Sequence, residues 1–97
     1  MYQLRLDGRA QKDLDRLRGD LWRRIRDVIL GLQDTPRPHG SVQLQGAGEA
    51  YRIRVGDYRV IYEVDDAKRV VTARRLKHRS EVYKSLRSEP VLNAVKG

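Results

Sequence analysis

The run Tyr-Arg-Ile-Arg-Val-Gly-Asp-Tyr-Arg-Val-Ile-Tyr-Glu-Val, residues 51–64, constrains this chain more than any other, because apolar and polar residues alternate on both sides of Gly56-Asp57. Period-two alternation is the pattern of a strand with one buried face. A two-residue Gly-Asp connection is of the kind that joins antiparallel neighbours. The sequence therefore predicts strands over 50–55 and 57–64, and the turn sets their register: Val55 opposite Tyr58, Arg54 opposite Arg59, Ile53 opposite Val60, Arg52 opposite Ile61 and Tyr51 opposite Tyr62. Tyr51, Ile53, Val55, Tyr58, Val60, Tyr62 and Val64 then share a face that helices can cover. Arg52, Arg54 and Arg59 share the other.

The rest of the chain supplies that cover. Tyr2, Leu4 and Leu6 alternate over residues 2–6, a half-buried strand ended by Asp7-Gly8. From Arg9 the period becomes helical, with Ala10, Leu14, Leu17 and Leu21 on one stripe and Lys12, Asp13, Asp15, Arg16 and Arg18 on the outer side. Gly19 interrupts the stripe, and Asp20 is placed to cap a second helix that buries Leu21, Ile25, Val28, Ile29 and Leu32, with Trp22 at its boundary. Residues 33–48, with Pro36, Pro38, Gly40, Gly46 and Gly48, read as a long loop. His39 within it has no acidic or histidine neighbour that would give it a role. Asp65-Asp66-Ala67-Lys68 reads as a turn into a strand over 69–76, and residues 79–86 as a short helix; 87–97, containing Pro90, are unassigned. Helices and strands come in runs without strict alternation, which indicates an α+β fold: an N-terminal strand, a helical hairpin packed on a small antiparallel sheet, and a short C-terminal helix. Residues 1–97 form one domain.

Charge narrows the function. The chain carries 21 Lys+Arg against 13 Asp+Glu, a net +8, and 16 of the 21 cations are arginine, whose planar fork matches phosphate oxygens. No cysteine is present, so disulfide frameworks, thiolate metal sites and cysteine nucleophiles are excluded. No apolar run has membrane-spanning length and the N-terminus does not read as a secretory signal, so a cytoplasmic protein without a membrane partner is expected. Arg54 opposite Arg59 is informative because like charges facing each other across strands are destabilising. Arg74, Arg75, Lys77, His78 and Arg79 gather at the end of the last strand, and between Tyr51 and Lys84 there are ten Lys/Arg against five Asp/Glu. That concentration is an anion site, with nucleic acid as the first partner to consider and Arg74, Arg75, His78, Arg79 and Lys84 as candidate contacts.

Residues 51–64, together with His-Arg-Ser-Glu-Val-Tyr at 78–83, closely resemble the RelE/ParE toxin superfamily of bacterial and archaeal toxin-antitoxin systems. The first strand, the helical hairpin, Leu44-Gln45-Gly46 and the size agree with it. The RelE-type branch consists of ribosome-dependent endoribonucleases that cut mRNA in the decoding site, whereas the ParE-type branch inhibits DNA gyrase. The resemblance implies a catalytic set of Arg52, Arg54, Arg59, Lys77 and Tyr83, with no metal or other cofactor. Arginines stand at 52 and 54 where the best-known members have lysines, and Lys77 where an arginine is often found, so the charge is kept while the proton donors and acceptors change. Arginine is a poor base, which leaves Tyr83, with His78 in reserve, as the proton-transfer group. The resemblance further implies a RelB-like antitoxin, the ribosome and mRNA as partners, with RNA as the ligand of those candidate contacts. The alternatives are a gyrase inhibitor and an RNA-binding homologue that does not cut.

Overall fold

The computed structural model describes residues 1–46 and 48–80. Its elements are β1 (Gln3–Leu6), α1 (Gly8–Asp15), α2 (Gly19–Gly31), β2 (Val42–Gln43), β3 (Ala50–Val55), β4 (Tyr58–Asp65) and β5 (Val70–His78). The five strands form one sheet in the order β1-β5-β4-β3-β2. The β3–β4 register is the one implied by the turn, from Val55 opposite Tyr58 to Tyr51 opposite Tyr62. Gly56 makes that turn possible by adopting φ +60°, where a side chain is disfavoured.

Three features of the sheet differ from the sequence expectation. First, the sheet is mixed, because β1 runs parallel to β5, from Gln3 opposite Val70 to Leu6 opposite Ala73. Alternation reports which face a strand buries and says nothing of its direction. Second, the long loop contains β2, whose two residues pair with Arg52 and Tyr51 but are too few to show a period. Third, β5 continues to His78, which pairs with Tyr58, so the last strand runs alongside the whole of β4 and carries Lys77 within the sheet. A bulge interrupts β5: Tyr62 pairs with Ala73 and Ile61 with Arg75, leaving Arg74 as the extra residue. Without that insertion Leu76 would fall on the solvent face and Lys77 on the buried one.

The helices cover one face. Asp7 caps α1, its carboxylate accepting from the Arg9 amide at 3.0 Å. Leu14 and Leu17 from the α1 end and Ile25, Ile29 and Leu32 from α2 pack on Tyr51, Ile53, Val55, Val60, Tyr62, Val64, Val71 and Leu76. Ile25 and Leu32 are fully buried, each contributing on the order of 1.5–3 kcal/mol of apolar transfer. Gly19 takes φ +63° at the junction of the helices. The N-cap of α2 is Arg18, without a side-chain hydrogen bond, so the expected Asp20 cap is not formed. Asp20 lies in the first turn, where a carboxylate favours the positive end of the helix, and pairs with Arg23 at 2.7 Å.

Residues 33–41 are pinned to the end of the sheet remote from Gly56. The Tyr62 hydroxyl donates to the Pro36 carbonyl at 2.8 Å. Arg37 donates to the Tyr51 hydroxyl at 2.7 Å and to both oxygens of Asp66, at 3.2 and 2.8 Å, and Asp66 also accepts from the Tyr2 hydroxyl at 2.6 Å. These bonds hold the Asp66 carboxyl below its ordinary range and push the Tyr2 phenol up.

Candidate functional site

The β3–β4 register places Arg54 beside Arg59, and the β4–β5 register places Arg59 beside Lys77. Three cations thus form a row across three adjacent strands, on the face away from the helices and next to the Gly56-Asp57 turn. At roughly 4.8 Å between strands, it extends about 10 Å. Arg52 lies two residues along β3 in the adjoining rung, across from Ile61 and, beyond it, Arg75. Among the described residues no carboxylate is within ion-pair distance of Arg52, Arg54, Arg59 or Lys77.

Two details show that this arrangement is under electrostatic load. Burial, followed by the fields of Arg54, Arg52 and Arg79, lowers the Arg59 pKa from its ordinary value, with Asp57 opposing. The Nε of Arg52 is buried without a hydrogen-bond partner, and a buried donor without an acceptor is destabilising. An anion with several oxygens relieves the first. Donors so arranged are chemically suited to negative charge, including charge that develops on a phosphoryl group.

The other candidates divide into two groups. His78 and Arg79 follow Lys77 in sequence, His78 lying opposite Tyr58 on the other face of the sheet from the row. The His78 ring meets Tyr58 edge-on at 5.2 Å, and its Nδ1 lies 3.2 Å from the donating Ser80 amide and 2.9 Å from the Ser80 hydroxyl. With Nδ1 accepting from the amide, the neutral ring carries its proton on Nε2. Arg79 donates its amide to the Asp57 carbonyl at 2.7 Å and approaches the Asp57 carboxylate at 3.9 Å. Arg74 and Arg75, by contrast, are engaged within the fold. Arg74 bridges Asp7 at 2.9 Å and Glu63 at 2.8 Å, and Arg75 pairs with Asp13 at 3.0 Å. Tyr83 and Lys84, with the helix expected over 79–86, lie outside the described residues beyond Ser80.

Sequence reasoning placed Asp13 on the outer side of the first helix. Its side chain is only 10% exposed, being turned against β5. The Arg37–Asp66 pair was likewise absent from the sequence reading, since a separation of 29 residues with a turn at one end gives no periodic signal.

A family model described as the ParE toxin of type II toxin-antitoxin systems, parDE, matches residues 4–83. The chain belongs to that toxin family. A chain of the archaeal RelE–RelB complex from Pyrococcus horikoshii OT3 is similar to this toxin at 32% identity and a TM-score of 0.72, with 80% of this chain and 94% of that one covered. The isolated RelE toxin of E. coli is similar at 28% identity and a TM-score of 0.72, over 91% of this chain and 97% of that one. A Methanocaldococcus jannaschii protein provisionally named as the toxin RelE1 is 29% identical over 87 residues, covering 87% of this chain and 97% of its own. The superfamily assignment read from residues 51–83 and the α+β fold both stand, and the relatives place this toxin with the RelE type.

Proposed function

We propose that this toxin is a ribosome-dependent mRNA endoribonuclease that inhibits translation by cutting in the decoding site. The observation that carries this reading is the row of Arg54, Arg59 and Lys77, three cations without a carboxylate partner among the described residues. RNA holds its own nucleophile. The 2′-oxygen bonds to the adjacent phosphorus as the bond from phosphorus to the 5′-oxygen breaks, giving a 2′,3′-cyclic phosphate and a 5′-hydroxyl. A base takes the 2′-hydroxyl proton and an acid gives one to the leaving oxygen. Negative charge gathers on the phosphoryl oxygens, where Arg52, Arg54, Arg59 and Lys77 stabilise it. Tyr83, the residue that the family resemblance singles out, is assigned as the base, and His78 is the reserve. Arg79 and Lys84 contact flanking phosphates or ribosomal RNA.

The RelE of Pyrococcus horikoshii was solved with RelB, which supports a RelB-like antitoxin as partner here. An acidic segment suits this face, and displacing the 79–86 segment that carries Tyr83 is one route to inhibition.

The test is to add the purified protein to a cell-free translation system and map new mRNA 5′ ends. Arg59→Ala and Tyr83→Phe are each expected to slow cleavage on the order of 10² to 10³. The family model's description as a ParE toxin favours the second reading, a gyrase inhibitor. Intact mRNA together with arrested supercoiling by purified gyrase would establish that reading and leave the arginine face as a binding surface.

A further inference from the structure

We infer that Asp13 of α1 is a positioning residue for the cation row: it holds the end of β5 in the phase that presents Lys77 beside Arg59. This rests on the nuclease reading for its functional consequence. The argument starts from the edge of the sheet. β1 accompanies β5 only as far as Leu6 opposite Ala73, and the last backbone bond along that edge is from the Asp7 amide to the Ala73 carbonyl, 2.9 Å. Beyond it, β5 has β4 on one side and, among the described residues, no strand on the other. The bulge at Arg74 falls at this point, and it places Leu76 in the core and Lys77 in the row. An edge amide past the end of β1 and just beyond the bulge needs a partner of its own. Asp13 is that partner: a single carboxylate oxygen, Oδ2, accepts the Leu76 amide at 2.9 Å and the Arg75 Nε at 3.0 Å. The side chain thus takes the place of a strand neighbour at the Leu76 amide and holds the Arg75 guanidinium beside it, between the bulge and Lys77. Arg75 belongs to this fixture, its charge already met by Asp13.

Three variants of the full-length toxin test this, Asp13→Ala, Asp13→Asn and Lys77→Ala, with the double variant of the first and third. Site-resolved amide exchange is read at Leu76 and Lys77 against Val64 and Val71, and mRNA cleavage is measured in the translation system. Asp13→Ala is expected to speed exchange at Leu76 and Lys77 about tenfold or more with the reference amides little changed, and to reduce cleavage about tenfold. In the Lys77→Ala background the same change should cost almost nothing further, because the two residues act through one position. Asp13→Asn keeps a carbonyl oxygen for the Leu76 amide and should restore most of both properties. Unchanged exchange at Leu76, or losses that multiply in the double variant, would overturn the inference. A wild-type toxin that cuts nothing overturns the nuclease reading instead, and the exchange measurements then decide alone whether Asp13 holds the strand.

Discussion

Arg59 sits between two cations. Arg54 is opposite it on β3 and Lys77 on β5, so folding brings together charges that water keeps apart in the unfolded chain. Like charges in direct cross-strand positions are destabilising by roughly 0.2–1 kcal/mol per pair. Arg59→Gln should therefore raise Tm by a few degrees, since about 1 kcal/mol corresponds to roughly 4–8 °C for a domain of this size, and should abolish most cleavage. Such opposition between stability and activity is the mark of a residue retained for its chemistry. Calorimetry with and without inorganic phosphate checks it: phosphate should stabilise the wild type more than the variant. A lower Tm in Arg59→Gln would mean that the guanidinium supports the fold and would remove the electrostatic argument for the row.

Among the elements, α1 shows how closely the site depends on charges placed for folding. Asp7 caps the helix through the Arg9 amide and also receives Arg74, and these two hydrogen bonds, the backbone one first, lower its pKa below 3.8. Because the folded-state value is depressed, the contribution to stability is complete above the unfolded value and is lost as pH falls through the folded one. Urea midpoints should be level from neutral pH down to about pH 5 and then fall in the acid range. Asp7→Asn, which keeps a capping oxygen, should flatten part of that fall. An unchanged acid slope would show that other carboxylates dominate it. The β3–β4 hairpin was readable from residues 51–64 because alternation and a two-residue turn are both local, and with it came the opposition of Arg54 and Arg59. The bulge was not readable: Val71, Ala73 and Leu76 face the core at a spacing of two and then three, and nothing in the sequence around Arg74 and Arg75 announces the change of phase. The parallel pairing of β1 and the engagement of Asp13 depend on contacts between residues more than sixty apart, which local pattern does not encode.

Across the whole molecule the exposed face of the sheet is polarised. Cations without a carboxylate partner among the described residues lie near the Gly56-Asp57 turn, while Glu49, Glu63, Asp65 and Asp66 alternate with Arg5, Lys68 and Arg74 around a concavity of about 620 Å³ near the opposite end, where Arg74 is tied to Glu63 and Arg37 to Asp66. Charge near the opposite end is thus internally balanced, and a polyanion is drawn to the row, where the cations have no carboxylate partner among the described residues. The partition makes a quantitative prediction for a single-stranded RNA oligomer. Each phosphate neutralised by an available cation contributes a slope of roughly −0.7 to the dependence of log K on log salt concentration. Lys77→Ala should therefore make the slope shallower by about 0.7, whereas Arg74→Ala should leave it unchanged, because the Arg74 charge is already balanced by Asp7 and Glu63. Fluorescence anisotropy titrations over a range of potassium chloride concentrations measure both slopes. Equal changes in the two variants would mean that RNA breaks the Arg74 pairs on binding, extending the contact surface across the bulge toward β1.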